Sequence, residues 1–97
     1  RRNAYRREAL HLLDGVEAAQ LSALLKRAAL ARWPRAEVAS LSGAAWLAFL
    51  DRTGRMSAFV AGPGHSIEAM AFGAEMQESD VEAARSVART WLRRHRP

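Results

Sequence analysis

Near the end of the chain Val81, Ala84, Ala88, Trp91, Leu92 and His95 recur at intervals of three and four. That spacing places them on one stripe of an α-helix and fits no other regular element. Ser79-x-x-Glu82 stands just before the stripe and reads as a capping box, in which two side chains satisfy free backbone N–H groups. A helix with one apolar stripe must bury it against other elements. The remaining question is what else this chain can form.

The same periodicity, interrupted by turn residues, runs through the rest. Arg2 to about Leu13 reads as a helix with Tyr5, Ala9, Leu12 and Leu13 on one face, ended by Asp14-Gly15. A second helix is expected from about Val16 to Ala31, with Leu21, Leu24, Leu25 and Ala28 inward. Pro34 disfavours helix at Trp33 and is expected to open a short turn to Leu41 from the first helical position. Ser42 is placed to cap a helix from Gly43 to about Arg52, with Trp46, Phe49 and Leu50 on one side and Gly54 as its stop. Gly62-Pro63-Gly64 is expected to bar regular structure, and Ser66 to Phe72 to form one or two turns ended by Gly73. Alanine is abundant and β-branched residues are few, which favours helix over strand. The expected fold is all-α: a single domain over residues 1–97, a compact bundle of three to four main helices with one or two short helical turns.

Charge is uneven. Of 15 Lys and Arg, Arg1, Arg2, Arg6 and Arg7 crowd the start and Arg93, Arg94 and Arg96 the end. The intervening body is slightly acidic, which suits a domain beside an anionic membrane better than a DNA-reading face. The longest apolar run, Ala44 to Leu50, is too short to span a bilayer, and there is no signal peptide pattern. The chain opens on Arg rather than Met, as a fragment or processed product does.

The chemistry-bearing residues do not assemble into a motif. There is no cysteine, and His11, His65 and His95 lack any HxxxH or HExxH spacing, so no metal or cofactor is expected. These histidines read as solvent-facing or boundary residues, with His95 at a frayed end. Gly62-Pro63-Gly64-His65-Ser66 lacks the Lys-Ser/Thr ending of a phosphate loop, and its proline removes an N–H donor. Asp51 and Glu68 stand too far from other carboxylates to argue a catalytic pair, and no serine sits in a nucleophile elbow. The expectation is a non-enzyme.

A nucleic-acid-binding helical domain acting through its basic termini is the alternative from another class. Val38 to Arg52 can be laid on a helix-turn-helix frame, but the would-be reading helix is apolar until Asp51, where base recognition needs Arg, Lys, Asn or Gln. A small-molecule sensor would require a pocket that sequence does not reveal. Most of the tryptophans and phenylalanines are expected to fill the core. Trp33, beside Pro34 and Arg35, is the best candidate for an exposed partner anchor, followed by Met56 and Phe59 in the connector.

The run from Trp33-Pro34-Arg35-Ala36-Glu37-Val38 to Trp46-Leu47-Ala48-Phe49-Leu50-Asp51 resembles a bacterial family known as domain of unknown function 4381. The Arg1-to-Leu10 entry, the glycine turn Phe59 to Gly64 and the closing Trp91-Leu92-Arg93-Arg94-His95 resemble it too. One departure is Ala71-Phe72-Gly73, where the family pattern has a Pro-Tyr pair. The resemblance implies one transmembrane helix just upstream. Arg1, Arg2, Arg6 and Arg7 would then lie membrane-proximal on the cytoplasmic side of the inner membrane, following the positive-inside rule. It also implies gene neighbours encoding MoxR-type AAA+ ATPases and von Willebrand factor A proteins. The function expected on that basis is a non-catalytic protein–protein adaptor domain in their complex. The family brings no established catalytic or binding residues.

Overall fold

The computed structural model describes residues 3–97, and they form helices and turns only. The long helices are α1 (Ala4–Leu13), α2 (Leu21–Leu30), α4 (Gly43–Gly54) and α6 (Glu78–Arg94). Two short ones intervene, α3 (Arg35–Val38) and α5 (Ile67–Ala71), with 3-10 turns at Ala18–Gln20 and Pro63–Ser66. The all-helical expectation therefore holds. Arg1 and Arg2, including the expected start of the first helix, lie outside the described residues.

The closing helix organises the molecule. α6 packs against α1, α2, α4 and the Pro63–Ser66 turn. Its stripe is buried throughout: Val81, Ala84, Ala88, Trp91, Leu92 and also His95. Trp46, Phe49, Leu50 and Phe59 from the middle of the chain meet Leu21, Leu24 and Leu25 of α2 in the same core. Gly64 lets the 3-10 turn lie directly on α6, because a Cβ there would fall 2.8 Å from Val87 Cγ1 and 2.7 Å from Phe59 Cδ1.

Buried polar groups are tied in pairs. Trp91 Nε1 donates to Thr53 Oγ1 at 2.9 Å, and Thr53 donates to the Phe49 carbonyl at 2.8 Å. Arg85, only 8% exposed, donates to the carbonyls of Leu13 and Val16 at 2.6 and 2.8 Å, closing the end of α1 against α6. Among the described residues no buried side-chain nitrogen or oxygen lacks a partner.

Several local expectations are corrected. Residues 16–31 do not form one helix: Glu17 is extended, with ψ at 156°, and the Ala18–Gln20 turn redirects the chain before α2 begins. Leu12 is 47% exposed rather than on the α1 core face. Pro34 precedes α3 in extended conformation rather than opening it from within. Gly62-Pro63-Gly64 does not bar regular structure; Pro63 sits at the head of a 3-10 turn. α6 begins at Glu78 with Gln77 before it, so Ser79 and Glu82 lie inside its first turns and make no capping box. Glu82 is instead paired with Arg85 at 3.1 Å.

The start of α4 is capped from a distance. Ser42 occupies the N-cap position without a side-chain bond. Glu68, on α5, accepts the Gly43 N–H at 2.6 Å through Oε1 and the Ser22 hydroxyl at 3.0 Å through Oε2. Ser22 accepts Trp46 Nε1 at 2.9 Å, so one carboxylate links α2, α4 and α5. Asp51 performs a comparable task, accepting the N–H groups of Phe59 and Val60 at 3.0 and 2.9 Å.

The end of α4 also departs from expectation. Gly54 is the last helical residue, and the left-handed position falls on Arg55, with φ at 53°. Gly54 is required by packing: a Cβ would meet Trp91 Cδ1 at 2.7 Å and Met56 Sδ at 2.8 Å. Gly54→Ala is therefore expected to lower stability by about 1–3 kcal/mol through overpacking. Arg55→Gly is expected to raise it by about 0.5–1 kcal/mol by relieving the left-handed backbone. Urea denaturation of both variants checks the pair, and equal effects of one sign would contradict this account of the turn.

Candidate functional site

Among the described residues, the start of α1 and the end of α6, each with its arginines, come together in the structure. α1 starts where α6 stops. Arg6 donates to the carbonyl oxygens of Leu92 and His95, the latter at 3.1 Å. The last carbonyls of a helix have no intrahelical partner and carry its negative dipole end, so a guanidinium is well matched to them. Arg94 donates in turn to the Arg55 carbonyl at 2.5 Å, and the Arg96 N–H donates to the Thr53 carbonyl at 3.2 Å. These bonds bring the end of α4 to the same pole. Arg32, just past α2, stands beside the Tyr5 hydroxyl, and Arg52 lies 5.3 Å from the Phe49 ring. Exposed Arg7 and Arg93 belong to the same helix ends.

His95 is the centre of this pole. It is 1% exposed, which corrects its expected place at a frayed, solvent-facing end. Its ring stacks on Trp91 with centroids 4.1 Å apart. The Tyr5 hydroxyl lies 2.8 Å from Nε2, and Nδ1 lies 2.9 Å from the Trp91 carbonyl. The shorter two contacts are met by a neutral ring when Nδ1–H donates to the Trp91 carbonyl and Nε2 accepts from Tyr5, and Arg6 Nη1, 3.2 Å from Nδ1, sets a positive charge against protonation of the ring. Burial pushes the His95 pKa down to about 4; the Trp91 carbonyl opposes the shift, and the charge of Arg6 adds to it. Burial likewise raises the pKa of Tyr5 and keeps its phenol protonated, against the pull of Arg6 and Arg32.

A second feature lies toward the other end of α4. A groove of about 440 Å³ runs between Gly43, Ala44, Leu47 and Ala48 on one side and Val60, His65, Glu68 and Ala69 on the other. Its lining is mostly apolar and low, because alanines stand where longer side chains would fill it. Val60, 54% exposed, forms its edge. Phe72 follows one turn after Ala69 and is 87% exposed.

The sequence-based site residues are distributed as follows. Arg6 is held by α6, Arg7 is free at the surface, and Arg1 and Arg2 lie outside the described residues. Trp33 is half-buried, with its ring 5.3 Å from Phe49 and 5.9 Å from His95, so it is part of the wall of the basic pole rather than a free anchor. Arg35 is exposed beside it, and Met56 is half-buried against Gly54. Phe59 is fully buried and is withdrawn as a surface candidate, since the Asp51 carboxylate pulls its backbone inward. Sequence reading missed the groove and Phe72. The available signal was charge: residues 56–84 hold five carboxylates and not a single Lys or Arg. Among the described residues no group of three or more His, Asp or Glu is placed to hold a metal.

The neutral His95 makes stability depend on pH. The unfolded chain takes up a proton near pH 6.5, while the folded chain takes it up only near 4. The stabilisation is complete above about pH 6.5 and is lost as the pH falls toward 4, by about 2–3 kcal/mol. Urea midpoints of the natural chain and His95→Gln are expected to converge between pH 7 and 4.5. A gap that stays constant over that range would contradict the assignment.

No described helix is long and apolar enough to cross a membrane. No curated protein and no solved structure gives a significant match to the sequence. A family model, described as Domain of unknown function (DUF4381), matches residues 1–94. It covers the entry, the Trp33–Asp51 block, the glycine turn and the closing helix, and the chain therefore belongs to the DUF4381 family.

Proposed function

We propose that this domain is a non-catalytic adaptor at the cytoplasmic face of the bacterial inner membrane. Its basic pole faces anionic headgroups and the rest of its surface is free for protein contact. The observation that carries the reading is charge segregation. Arginines of α1, α4 and α6 gather where the chain begins and ends, while residues 56–84 carry only acidic charge apart from His65. A protein joined to a bilayer upstream of residue 1 would hold that pole against the surface, where each arginine contributes about 1 kcal/mol of attraction. The partners that fit the family context are a MoxR-type AAA+ ATPase and a von Willebrand factor A protein. The nucleic-acid alternative draws on the same arginines. However, the surface that α4 leaves exposed from Gly43 to Ala48 is Gly43, Ala44, Ala45 and Ala48, which offers no side-chain hydrogen bonds to base edges, and Arg52 near its end is the one exposed base-reading side chain on the helix.

The test uses Arg7, Arg93 and Arg96, whose side chains are exposed, and leaves Arg6 and His95 intact. Reversing all three to Glu is expected to weaken flotation with phosphatidylglycerol-containing vesicles at least tenfold, with steep salt dependence in the natural chain. The same variant, used as bait in an extract of the native bacterium, is expected still to retain the AAA+ ATPase or the von Willebrand A protein. Vesicle binding that ignores the reversal overturns the membrane part. Retention of nucleic acid alone, by the natural chain alone, replaces the adaptor reading with its rival.

A further inference from the structure

The groove between α4 and α5 has three properties that together specify an occupant. First, it has room: Ala44 and Ala48 stand one turn apart on α4 and face Val60 and Ala69, leaving about 440 Å³ between two helical walls. Packed helices approach to 8–10 Å when the ridge of one meets a groove of the other, and small residues permit the closest approach. Second, it has an unpaired apolar anchor. The Phe72 N–H bonds to the carbonyls of Glu68 and Ala69, which continues the α5 turn one turn beyond the groove-lining Ala69, and its ring is 87% exposed. The ring is not part of the core cluster, and aromatic residues, Phe among them, are enriched at protein interfaces relative to the rest of the surface.

Third, the wall formed by residues 60–69 and the segment that follows it to Asp80 carry formal charge of one sign only. A neighbouring hollow shares His65 with the groove and extends it to Pro63, Met76 and Asp80. Glu68 lies in the groove itself, and Glu75 and Glu78 are exposed on either side of Met76. No Lys or Arg falls anywhere in residues 56–84. An anionic lipid surface is repelled by such a rim. A second copy docked about a two-fold axis would set the same carboxylates against one another. A cationic partner is attracted.

We propose that this groove is a docking site for a short amphipathic helix of another protein, with an apolar ridge flanked by Lys or Arg. Its apolar side chains lie over Ala44 and Ala48 and against Phe72, and its cations face Glu75, Glu78 and Asp80. This deepens the adaptor reading, and rests on it only for the statement that the domain serves a protein partner.

The probes are two synthetic helical peptides with the same leucine ridge, one flanked by lysines and the other by glutamates. Each is titrated into the full, isotopically labelled chain and followed by amide NMR. The lysine peptide is expected to shift Ala44, Ala48, Val60, Ala69 and Phe72, and the glutamate peptide to bind at least tenfold more weakly. Ala48→Arg places a long cation in the groove at an exposed position, and Phe72→Ala removes the anchor. Each is expected to weaken the lysine peptide at least tenfold without altering the spectrum of the core. Absence of binding, equal binding of both peptides, or shifts confined to the basic pole overturn the proposal. So do concentration-dependent shifts of the groove residues without peptide, which would make a second copy the occupant. Failure in the extract experiment with success here removes the named partners and keeps the groove. The opposite pair of results removes the groove and keeps the partners.

Discussion

The carbonyl groups at the end of α6 must find donors in a place where Trp91 and His95 exclude water. Arg6 supplies them from the far end of the sequence. That contact brings the first helix against the last, orients His95 between Tyr5 and the Trp91 carbonyl, and seats Trp33 over the stacked pair. A guanidinium suits the task because its planar fork reaches two carbonyls at once and never loses its charge. The neutral histidine follows from the same arrangement, since a buried imidazolium beside Arg6 and Arg32 would be doubly disfavoured. Removing Arg6 would strip donors from the end of α6, and removing His95 would take away the partner of Tyr5, opening the aromatic cluster of the core from either side. The termini therefore belong to the fold as much as to any surface.

This changes what the basic residues mean. Arg6, Arg85, Arg89 and Lys26 are committed to carbonyls or to Asp14, and they carry the architecture. Arg7, Arg93 and Arg96 have exposed side chains at the helix ends that form this pole, and Arg35 is exposed at the start of α3. Net charge alone does not separate the two groups; hydrogen-bond geometry does. The acidic residues divide in the same manner. Glu68 and Asp51 hold backbone N–H groups, whereas Glu75, Glu78 and Asp80 face solvent around Met76.

Periodic features of the chain were legible before the structure. The α6 stripe, the inward leucines of α2 and the aromatic side of α4 are each local patterns of three and four, and all are buried. The misread features depend on residues far apart in sequence. Ser42 looked like the cap of α4, but the carboxylate of Glu68, 25 residues beyond Gly43, takes the first N–H of the helix. Gly54 looked like a left-handed stop, but its missing Cβ makes room for Trp91, and Arg55 takes the strained backbone. His95 looked like a frayed end because Tyr5, its partner, is 90 residues away. The groove was invisible for a further reason: three of its eight lining residues are alanines and one is glycine, small residues whose pattern is the same at a surface and at a depression.

α4 joins the two surfaces. Its first turns, Gly43 to Ala48, form one wall of the groove, and its last residues, Arg52 to Gly54, reach the basic pole through Thr53 and the Arg55 turn. A 12-residue helix separates its ends by about 18 Å. That distance exceeds a Debye length of about 8 Å at physiological salt, so the arginines do not neutralise the acidic rim of the groove. The two proposed ligands, a bilayer and a cationic helix, would therefore not compete, each being attracted by charge of the appropriate sign. The rigidity for this comes from the Trp46–Ser22–Glu68 chain at one end of α4 and the Trp91–Thr53 bond at the other. On the proposed reading, this rigidity would hold the groove at a fixed distance from the basic pole, which is the property an adaptor beside a membrane requires.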